Sequence, residues 1–280
     1  MNYTAEISRQ NPSCFLFIID QSGSMSDSFN DPPKPKSQAV ADAINKLLSN
    51  LVIKCAKSEG VRDYYHVGVL GYGSNEAVPA FTGAISGRDL VPISGIADNP
   101  ARIEERTKKV DDGAGGLIDQ SVKFPVWFNP KAQGGTPMKQ AFRKACGIIS
   151  EWLSQNPDCF PPTIIHITDG ESTDGDPSEE MKNLTDLASS DGNVLLFNLH
   201  ISGNQNARTL EFPGNSESLP DKHSDLLYQS SSKLTPFMID IAKKEYNLDV
   251  SESSRGFVLN GELALIITAM EIGTRPSNMR

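Results

Sequence analysis

The chain has 280 residues, of which 38% are hydrophobic and 22% charged, and a formal net charge of −9. This composition predicts a globular protein with a substantial core, which we expect to form one domain, 1–280. The acidic balance argues against non-specific nucleic-acid binding, which needs a basic surface. No apolar run approaches the ~20 residues that span a bilayer, and the start of the chain lacks the pattern of a signal peptide, so we expect a cytoplasmic protein without membrane insertion.

The first part of the chain predicts alternating strands and helices. The apolar run at 14–19 is typical of a strand covered on both faces, and apolar residues at helical spacing predict a helix over 35–55. A second strand is expected at 66–72. An antiparallel partner at 77–81 would place one antiparallel strand at the edge of the sheet.

The segment 82–133 is the least regular and we interpret it as an insertion. Near its end Val122, Phe124 and Val126 alternate with polar residues, which predicts an exposed or edge strand because Pro125 cannot donate to a ladder. Compact domains seldom hold so long a structureless loop, so a further helix or strand is expected near 101–110.

The remainder of the chain continues the alternation. It predicts a helix over 138–153, a strand at 163–168, a helix after 176, a strand at 194–199, a long connection at 202–233 with one short helix near 225–228, a helix from 235 and a final strand and helix over 256–270. The predicted fold is therefore α/β: three layers, doubly wound, with a mainly parallel sheet, one antiparallel edge strand and helices on both faces.

Five polar residues lie where these elements end or begin. Asp20, Ser22 and Ser24 follow the first strand, Thr136 precedes a helix, and Asp169 follows the strand at 163–168. Each segment alone also fits a helix cap or a turn, but parallel strands bring their carboxyl ends to one edge of a sheet. Hydroxyls supply neutral lone pairs and Asp supplies charge, which suits a hard cation. We predict a Mg²⁺ site, with Mn²⁺ or Ca²⁺ as alternatives.

The three segments resemble a known motif when taken together. The D-x-S-x-S run at 20–24, the Thr-Pro pair at 136–137 and the Thr-Asp-Gly run at 168–170 are similar to the metal-ion-dependent adhesion site of the von Willebrand factor A (vWA) domain. The resemblance covers 13–199. It implies that Ser22, Ser24 and Thr136 touch the metal while Asp20 and Asp169 act partly through water. The insertion at 82–133 departs from a minimal A domain.

The resemblance implies a recognition, scaffold or regulatory module whose metal ion accepts an Asp or Glu carboxylate from a partner protein. The ending at 257–275 resembles short cytoplasmic bacterial A-domain proteins of tellurite-resistance and stress systems, which implies a partner from a Ser/Thr kinase or PP2C-type phosphatase system. The alternative is a metal-dependent hydrolase such as a phosphatase, because Mg²⁺ beside carboxylates can activate water. No nucleophile paired with a base is evident, so we expect binding and no catalysis.

Other chemistry-bearing residues are expected to be structural. The cysteines lack C-x-x-C spacing, which favours reduced buried thiols over zinc or disulfides; they are Cys14, Cys55, Cys146 and Cys159. Asp174 occupies the position where a calcium loop needs glycine, so we expect Asp174 to form a turn and Asp176 to cap a helix. The isolated histidines are expected to be satisfied core or surface residues; they are His66, His166, His200 and His223.

Overall fold

The structure is a computed structural model that describes residues 3–29, 33–111, 116–202 and 208–274. Its central strand, at 13–20, is a continuous run of buried side chains. The strands are β1 (Ser13–Asp20), β2 (Ser28–Phe29), β3 (Lys34–Pro35), β4 (Ala56–Lys57), β5 (Gly60–Val61), β6 (Tyr65–Gly73), β7 (Glu76–Pro79), β8 (Val91–Pro92), β9 (Arg102–Asp111), β10 (Leu117–Val126), β11 (Thr163–Thr168), β12 (Leu195–Ile201), β13 (Leu210–Glu211) and β14 (Phe257–Gly261). The α-helices are α1 (Lys36–Cys55), α2 (Ile93–Asp98), α3 (Met138–Gln155), α4 (Ser178–Asp186), α5 (Lys222–Ser230), α6 (Pro236–Tyr246) and α7 (Leu263–Thr274).

The main sheet has the order β13-β14-β12-β11-β1-β6-β7, with β8 also paired to β6. Strands β14, β12, β11, β1 and β6 run parallel to one another, whereas β7 and β8 run antiparallel to β6. The predicted α/β class, the mainly parallel sheet and the antiparallel strand after β6 are confirmed. The sequence patterning did not indicate β13, which adds a short antiparallel strand at the opposite edge.

Alternate side chains of β1 enter two separate cores. Phe15, Phe17 and Ile19 pack in a cluster with residues of α1, α6 and α7, whereas Leu16 and Ile18 pack with residues of α3, α4 and α5. Helices therefore cover both faces of the sheet, as predicted. Burial of each such large apolar side chain stabilises the fold by roughly 1.5–3 kcal/mol relative to an exposed one, which explains why this run can only be central.

The segment 82–133 is divided: β8 pairs with β6 of the main sheet and is followed by α2, whereas β9 and β10 form a two-stranded antiparallel ribbon separate from that sheet. The strand predicted around 122–126 and the further element predicted near 101–110 are therefore partners. Asn45 of α1 holds the end of the ribbon: its amide donates to the carbonyl of Phe128 at 2.8 Å, and its Oδ1 accepts the backbone N–H of Trp127 at 2.8 Å and of Phe128 at 3.1 Å. The ribbon is thus docked on α1 before the chain reaches Thr136.

Two further sequence predictions can be compared with the structure. All four cysteines are free; Cys14, Cys55 and Cys159 are buried as expected, whereas Cys146 is half-buried. Within the described ranges, no helix is long and apolar enough to cross a bilayer.

Candidate metal centre

The carboxyl ends of β1 and β11 lie side by side because the two strands are parallel and Ile19 is in register with Ile167. The next residues are Asp20 and Thr168, and the Thr168 hydroxyl donates to Asp20 Oδ2 at 2.7 Å. Asp20 is only 1% exposed. The register of the sheet therefore places the buried carboxylate of Asp20 at the carboxyl end of β1, beside the hydroxyl of Thr168 that donates to it.

The D-x-S-x-S run folds back over this edge. The backbone N–H of Ser22 donates to Asp20 Oδ1 at 2.8 Å, and the hydroxyls of Ser22 and Ser24 are 3.1 Å apart. The Ser24 hydroxyl also donates to Asp169 Oδ1 at 2.8 Å. Four of the five predicted residues, Asp20, Ser22, Ser24 and Asp169, thus belong to one hydrogen-bonded cluster.

The fifth predicted residue, Thr136, joins the cluster through its neighbours. The N–H of Gly23 donates to the carbonyl of Gly134 at 3.0 Å, which ties the Thr136 loop to the serine loop. Gly134 has a φ of +72°, and a Cβ there would lie 2.3 Å from the Cα of Ser74, so only glycine fits this crossing. Within the described ranges no hydrogen bond reaches the Thr136 hydroxyl, which leaves its lone pairs available.

The loop between β11 and α4 also holds the Thr136 segment in place, through hydrogen bonds that Thr173 and Asp174 make. Thr173 accepts the N–H of Thr136 on its hydroxyl at 2.9 Å, and its own N–H donates to the Thr136 carbonyl at 2.9 Å. Asp174 accepts the N–H groups of Lys139 at 3.0 Å and Gln140 at 2.9 Å. Asp174 therefore caps the start of α3 from a different loop, a contact that sequence spacing could not show.

Asp176 has the capping role that the sequence predicted. Its Oδ1 accepts the N–H of Ser178 at 2.8 Å, at the start of α4. The hydrogen bond from the Ser178 hydroxyl, and next the one from the Ser178 N–H, lower the pKa of Asp176, as expected for a carboxylate at a helix N-terminus.

Lys36 is a member of the cluster that the sequence did not indicate. Its ammonium group donates to Asp169 Oδ2 at 2.7 Å, although Lys36 begins α1, far from Asp169 in sequence. The signal that could have identified it is its place in the helix: the N-terminus of a helix disfavours a cation, so a lysine there needs another partner.

The two carboxylates of the cluster repel each other in a buried setting. Burial raises the pKa of Asp20, hydrogen bonds from Ser22 and Thr168 lower it in part, and the charge of Asp169 raises it further. An ionised Asp20 is therefore costly unless a cation is near. A divalent cation bound beside Asp20 would lower the free-energy cost of ionising it.

A buried polar chain lies beneath the cluster. Burial lowers the pKa of His166 to about 3, so its ring is neutral. His166 Nδ1 lies 2.8 Å from Asn198 Oδ1, and the Asn198 amide donates to the Leu227 carbonyl at 3.0 Å. Nδ1 consequently carries the proton, and Nε2 accepts from the Tyr72 hydroxyl at 2.7 Å. The prediction that His166 is a satisfied core residue is confirmed.

The other three histidines differ from His166 in the hydrogen bonding of their ring nitrogens. His200 Nδ1 accepts the N–H of Asn260 at 3.3 Å, and burial lowers the His200 pKa to about 4. Among the described residues, His66 Nδ1 and His223 Nε2 are buried without a hydrogen-bond partner. The expectation that every histidine is satisfied is therefore wrong for one ring nitrogen of each of these two. The His66 ring packs against Trp152, with the ring centroids 4.6 Å apart.

The chemistry of the donor set fits a hard cation. Within the ranges that the structure describes, no three His, Cys, Asp or Glu side chains are grouped so that they could hold a metal ion. A centre at this edge would therefore depend on the hydroxyls of Ser22, Ser24 and Thr136 together with two carboxylates. These donors are all oxygens, as Mg²⁺ prefers.

Comparisons with known proteins bear on the fold. No protein-family model matches the sequence, and no curated protein matches it. The pilus adhesin SpaC from Lactobacillus rhamnosus GG is similar in structure, with a TM-score of 0.50 and 12% identity over 96% of this chain and 31% of that chain. The vWF domain of the type V pili tip protein Mfa5 from Porphyromonas gingivalis has a TM-score of 0.31 and 15% identity, covering 58% of this chain and 39% of that chain. The manganese-loaded TRAP protein of Plasmodium vivax has a TM-score of 0.35 and 12% identity, covering 69% of this chain and 59% of that chain.

The chain thus spans about a third of the length of the SpaC chain that it resembles. At this identity the likeness concerns the fold alone. Together with the strand order and the helices on both faces, it shows that the chain shares a mainly parallel α/β fold with part of the SpaC chain.

Proposed function

We propose that the chain is a metal-dependent protein-binding module. Asp20, Ser22, Ser24, Thr136 and Asp169 would hold a Mg²⁺ ion that offers a coordination position to an Asp or Glu carboxylate of a partner protein. The observation that supports this proposal is the cluster itself, in which residues from β1, β11 and their loops bring hydroxyl and carboxylate oxygens within hydrogen-bonding distance of one another.

The charge of the site supports a carboxylate as the partner's group. Asp20 and Asp169 carry two negative charges, and Lys36 offsets one of them. A divalent cation would leave the site with one net positive charge in a partly buried setting. Such a site attracts an anion more strongly than a neutral group, because Coulombic attraction is less screened away from bulk water.

Hydrolysis is less well supported than binding. The hydroxyls of Ser22 and Ser24 contact each other, and that of Ser24 also donates to Asp169; among the described residues neither is paired with a histidine base. His166 is turned toward Tyr72 and Asn198, and its low pKa keeps it from accepting a proton at neutral pH. This arrangement lacks the nucleophile and base geometry that covalent hydrolysis needs.

Three finer statements stay predictions. The resident metal is Mg²⁺, with Mn²⁺ or Ca²⁺ as alternatives; the partner belongs to a Ser/Thr kinase or PP2C-type phosphatase system of a bacterial stress or tellurite-resistance pathway; and the protein acts in the cytoplasm. The metal follows from the oxygen donors together with the resemblance of the sequence motifs, the partner follows from that resemblance, and the compartment is the expectation stated above from the sequence.

Metal binding is tested by calorimetric titration of Mg²⁺ and Mn²⁺ into the wild-type chain and the Asp20→Ala variant. Asp63→Ala is the matched control, since Asp63 only accepts the N–H of Ser94 at 2.9 Å near the start of β6, at the opposite end of the sheet. We expect binding to the wild type and the control and none to Asp20→Ala. A folded wild-type chain that binds neither metal would contradict the proposal.

Recognition of a carboxylate is tested on an array of immobilised peptides in which every Asp or Glu peptide is paired with its Asn or Gln version. Fluorescently labelled protein is applied in magnesium and in chelator. We expect capture only by acidic peptides and only in magnesium. Equal capture by the amide versions, or capture that survives chelation, would refute the carboxylate as the recognised group.

A further inference from the structure

Lys36 is a buried cation inside the proposed metal site. The residue is 8% exposed, and the side chain of Asp169, which it contacts at 2.7 Å, is fully buried. A second acidic group, Asp27, lies 3.6 Å from the same ammonium group, but its side chain is 67% exposed. The lysine therefore points inward, to the carboxylate that the proposed metal also needs.

This orientation has a cost that packing alone does not explain. The first turn of a helix carries a partial positive charge, so Lys36 at the start of α1 faces an unfavourable dipole. An ammonium group held away from water also loses hydration. A lysine that only covered the core would extend its amine to solvent, as lysines commonly do.

We infer that Lys36 is a built-in counter-cation that sets how tightly the site holds a divalent metal ion. The inference rests on the proposed function. Lys36 occupies one oxygen of Asp169 and supplies a positive charge beside the point where the metal's charge would lie. A metal ion must therefore compete with Lys36 for Asp169 and bind against its repulsion.

Lys36 has opposite effects on the stability of the metal-free protein and on its affinity for metal. In the metal-free protein Lys36 stabilises the cluster, because its removal leaves Asp169 buried without a cationic partner. In the metal-bound protein Lys36 is unfavourable, because like charges repel. Removal of the lysine should therefore lower the stability of the metal-free chain and raise its affinity for metal. A residue that served only to hold the loops in place would lower both when removed.

The test is calorimetric titration of Mg²⁺ and Mn²⁺ into the wild type, Lys36→Met and Lys36→Arg, with thermal melts in chelator. Lys34→Met is the matched control: Lys34 lies two residues away and pairs with Asp42 of α1, outside the cluster. We expect Lys36→Met to bind both metals at least about tenfold more tightly and to melt at a lower temperature in chelator, since one unit charge is removed within a few ångströms. Lys36→Arg, which keeps the charge, and Lys34→Met should stay within about threefold of the wild type.

Each outcome decides a different question. Unchanged or weaker metal binding by Lys36→Met, with a wild type that binds, overturns the inference and leaves the proposed function standing. Binding by Lys36→Met with none by the wild type overturns the proposed function of the natural chain, although it supports the claim that Lys36 opposes the metal. No binding by any of the variants overturns the proposed function and the inference together. Lys36→Gln, whose amide can still donate to Asp169, is titrated in parallel and has the same expected increase, so the test does not depend on the folding of Lys36→Met.

Discussion

Replacement of Asp20 by Asn should change metal binding and the stability of the metal-free fold in opposite directions. Asp20 is almost fully buried, and its pKa is raised chiefly by burial. Asn has the same shape, its Oδ1 can accept the N–H of Ser22, and its amide can donate to the Thr168 hydroxyl. Only the charge is lost. We expect Asp20→Asn to abolish metal binding and to make the metal-free protein more stable at pH 7.

The sign follows from proton linkage. The folded-state pKa of Asp20 lies above the 3.8 of an unperturbed Asp, so its stabilising contribution is complete below about pH 4 and is lost as the pH rises through the folded-state pKa. The advantage of Asp20→Asn should therefore be small near pH 4 and grow toward pH 7. Each tenfold change in the acid constant between folded and unfolded states corresponds to about 1.4 kcal/mol, and each kcal/mol moves the melting temperature by about 2–4 °C in a protein of this size.

The assay is thermal unfolding at pH 4 to 7 in chelator, repeated in magnesium. Magnesium at 100 times its dissociation constant should stabilise the wild type by about 2.7 kcal/mol and leave Asp20→Asn unchanged. Asp63→Asn is the control, because Asp63 lies at the other end of the sheet. A lower melting temperature for Asp20→Asn than for the wild type at pH 7 in chelator would refute the claim that burial of this carboxylate destabilises the metal-free fold.

Three further predictions concern the residues around the site. Asn45→Ala removes the hydrogen bonds that hold the ribbon on α1, and we expect a loss of roughly 2–4 kcal/mol in urea denaturation; a loss under about 1 kcal/mol would show that the ribbon is held by other contacts. The pKa of His166 falls from 6.5 unfolded to about 3 folded, so stability that is present above pH 6.5 should be lost as the pH falls toward 3, by about 2 kcal/mol at pH 5; His166→Gln should flatten this dependence, and an equal slope would contradict the assignment. Thr173→Val removes the hydroxyl that accepts the N–H of Thr136, and we expect calorimetry to show magnesium binding weakened by about fivefold without unfolding; an unchanged affinity would mean that Thr173 does not position Thr136.

Local pattern was enough to predict the longer strands of the main sheet, but not the two-residue strands β8 and β13 at its edges. The apolar run of β1 and the helical spacing in α1 and α3 reflect burial on one or two faces, which repeats with the period of the element and is visible in the residues themselves. The turn after β6 and the cap at Asp176 likewise depend on neighbours a few residues apart. The ribbon was only half predicted, since its strands alternate weakly and its partnership could not be deduced from spacing.

Contacts between distant segments could not be predicted in this way. Nothing near Lys36 indicates that it lies against Asp169, and nothing near Asp174 indicates that it caps α3. Both contacts join residues that are separated by more than 30 positions, and they exist because parallel β1 and β11 end at the same edge.

Amino-acid pattern alone therefore decided the main strands and helices and the α/β class, and it nominated the five oxygen-bearing residues as a predicted site, since these depend on periodicity and on residue chemistry. Tertiary structure decided the charge of the cluster, the burial of Asp20 and the clamp on Thr136. These are properties of distances between segments, and electrostatic energy depends on distance and on exclusion of water, which no local pattern encodes.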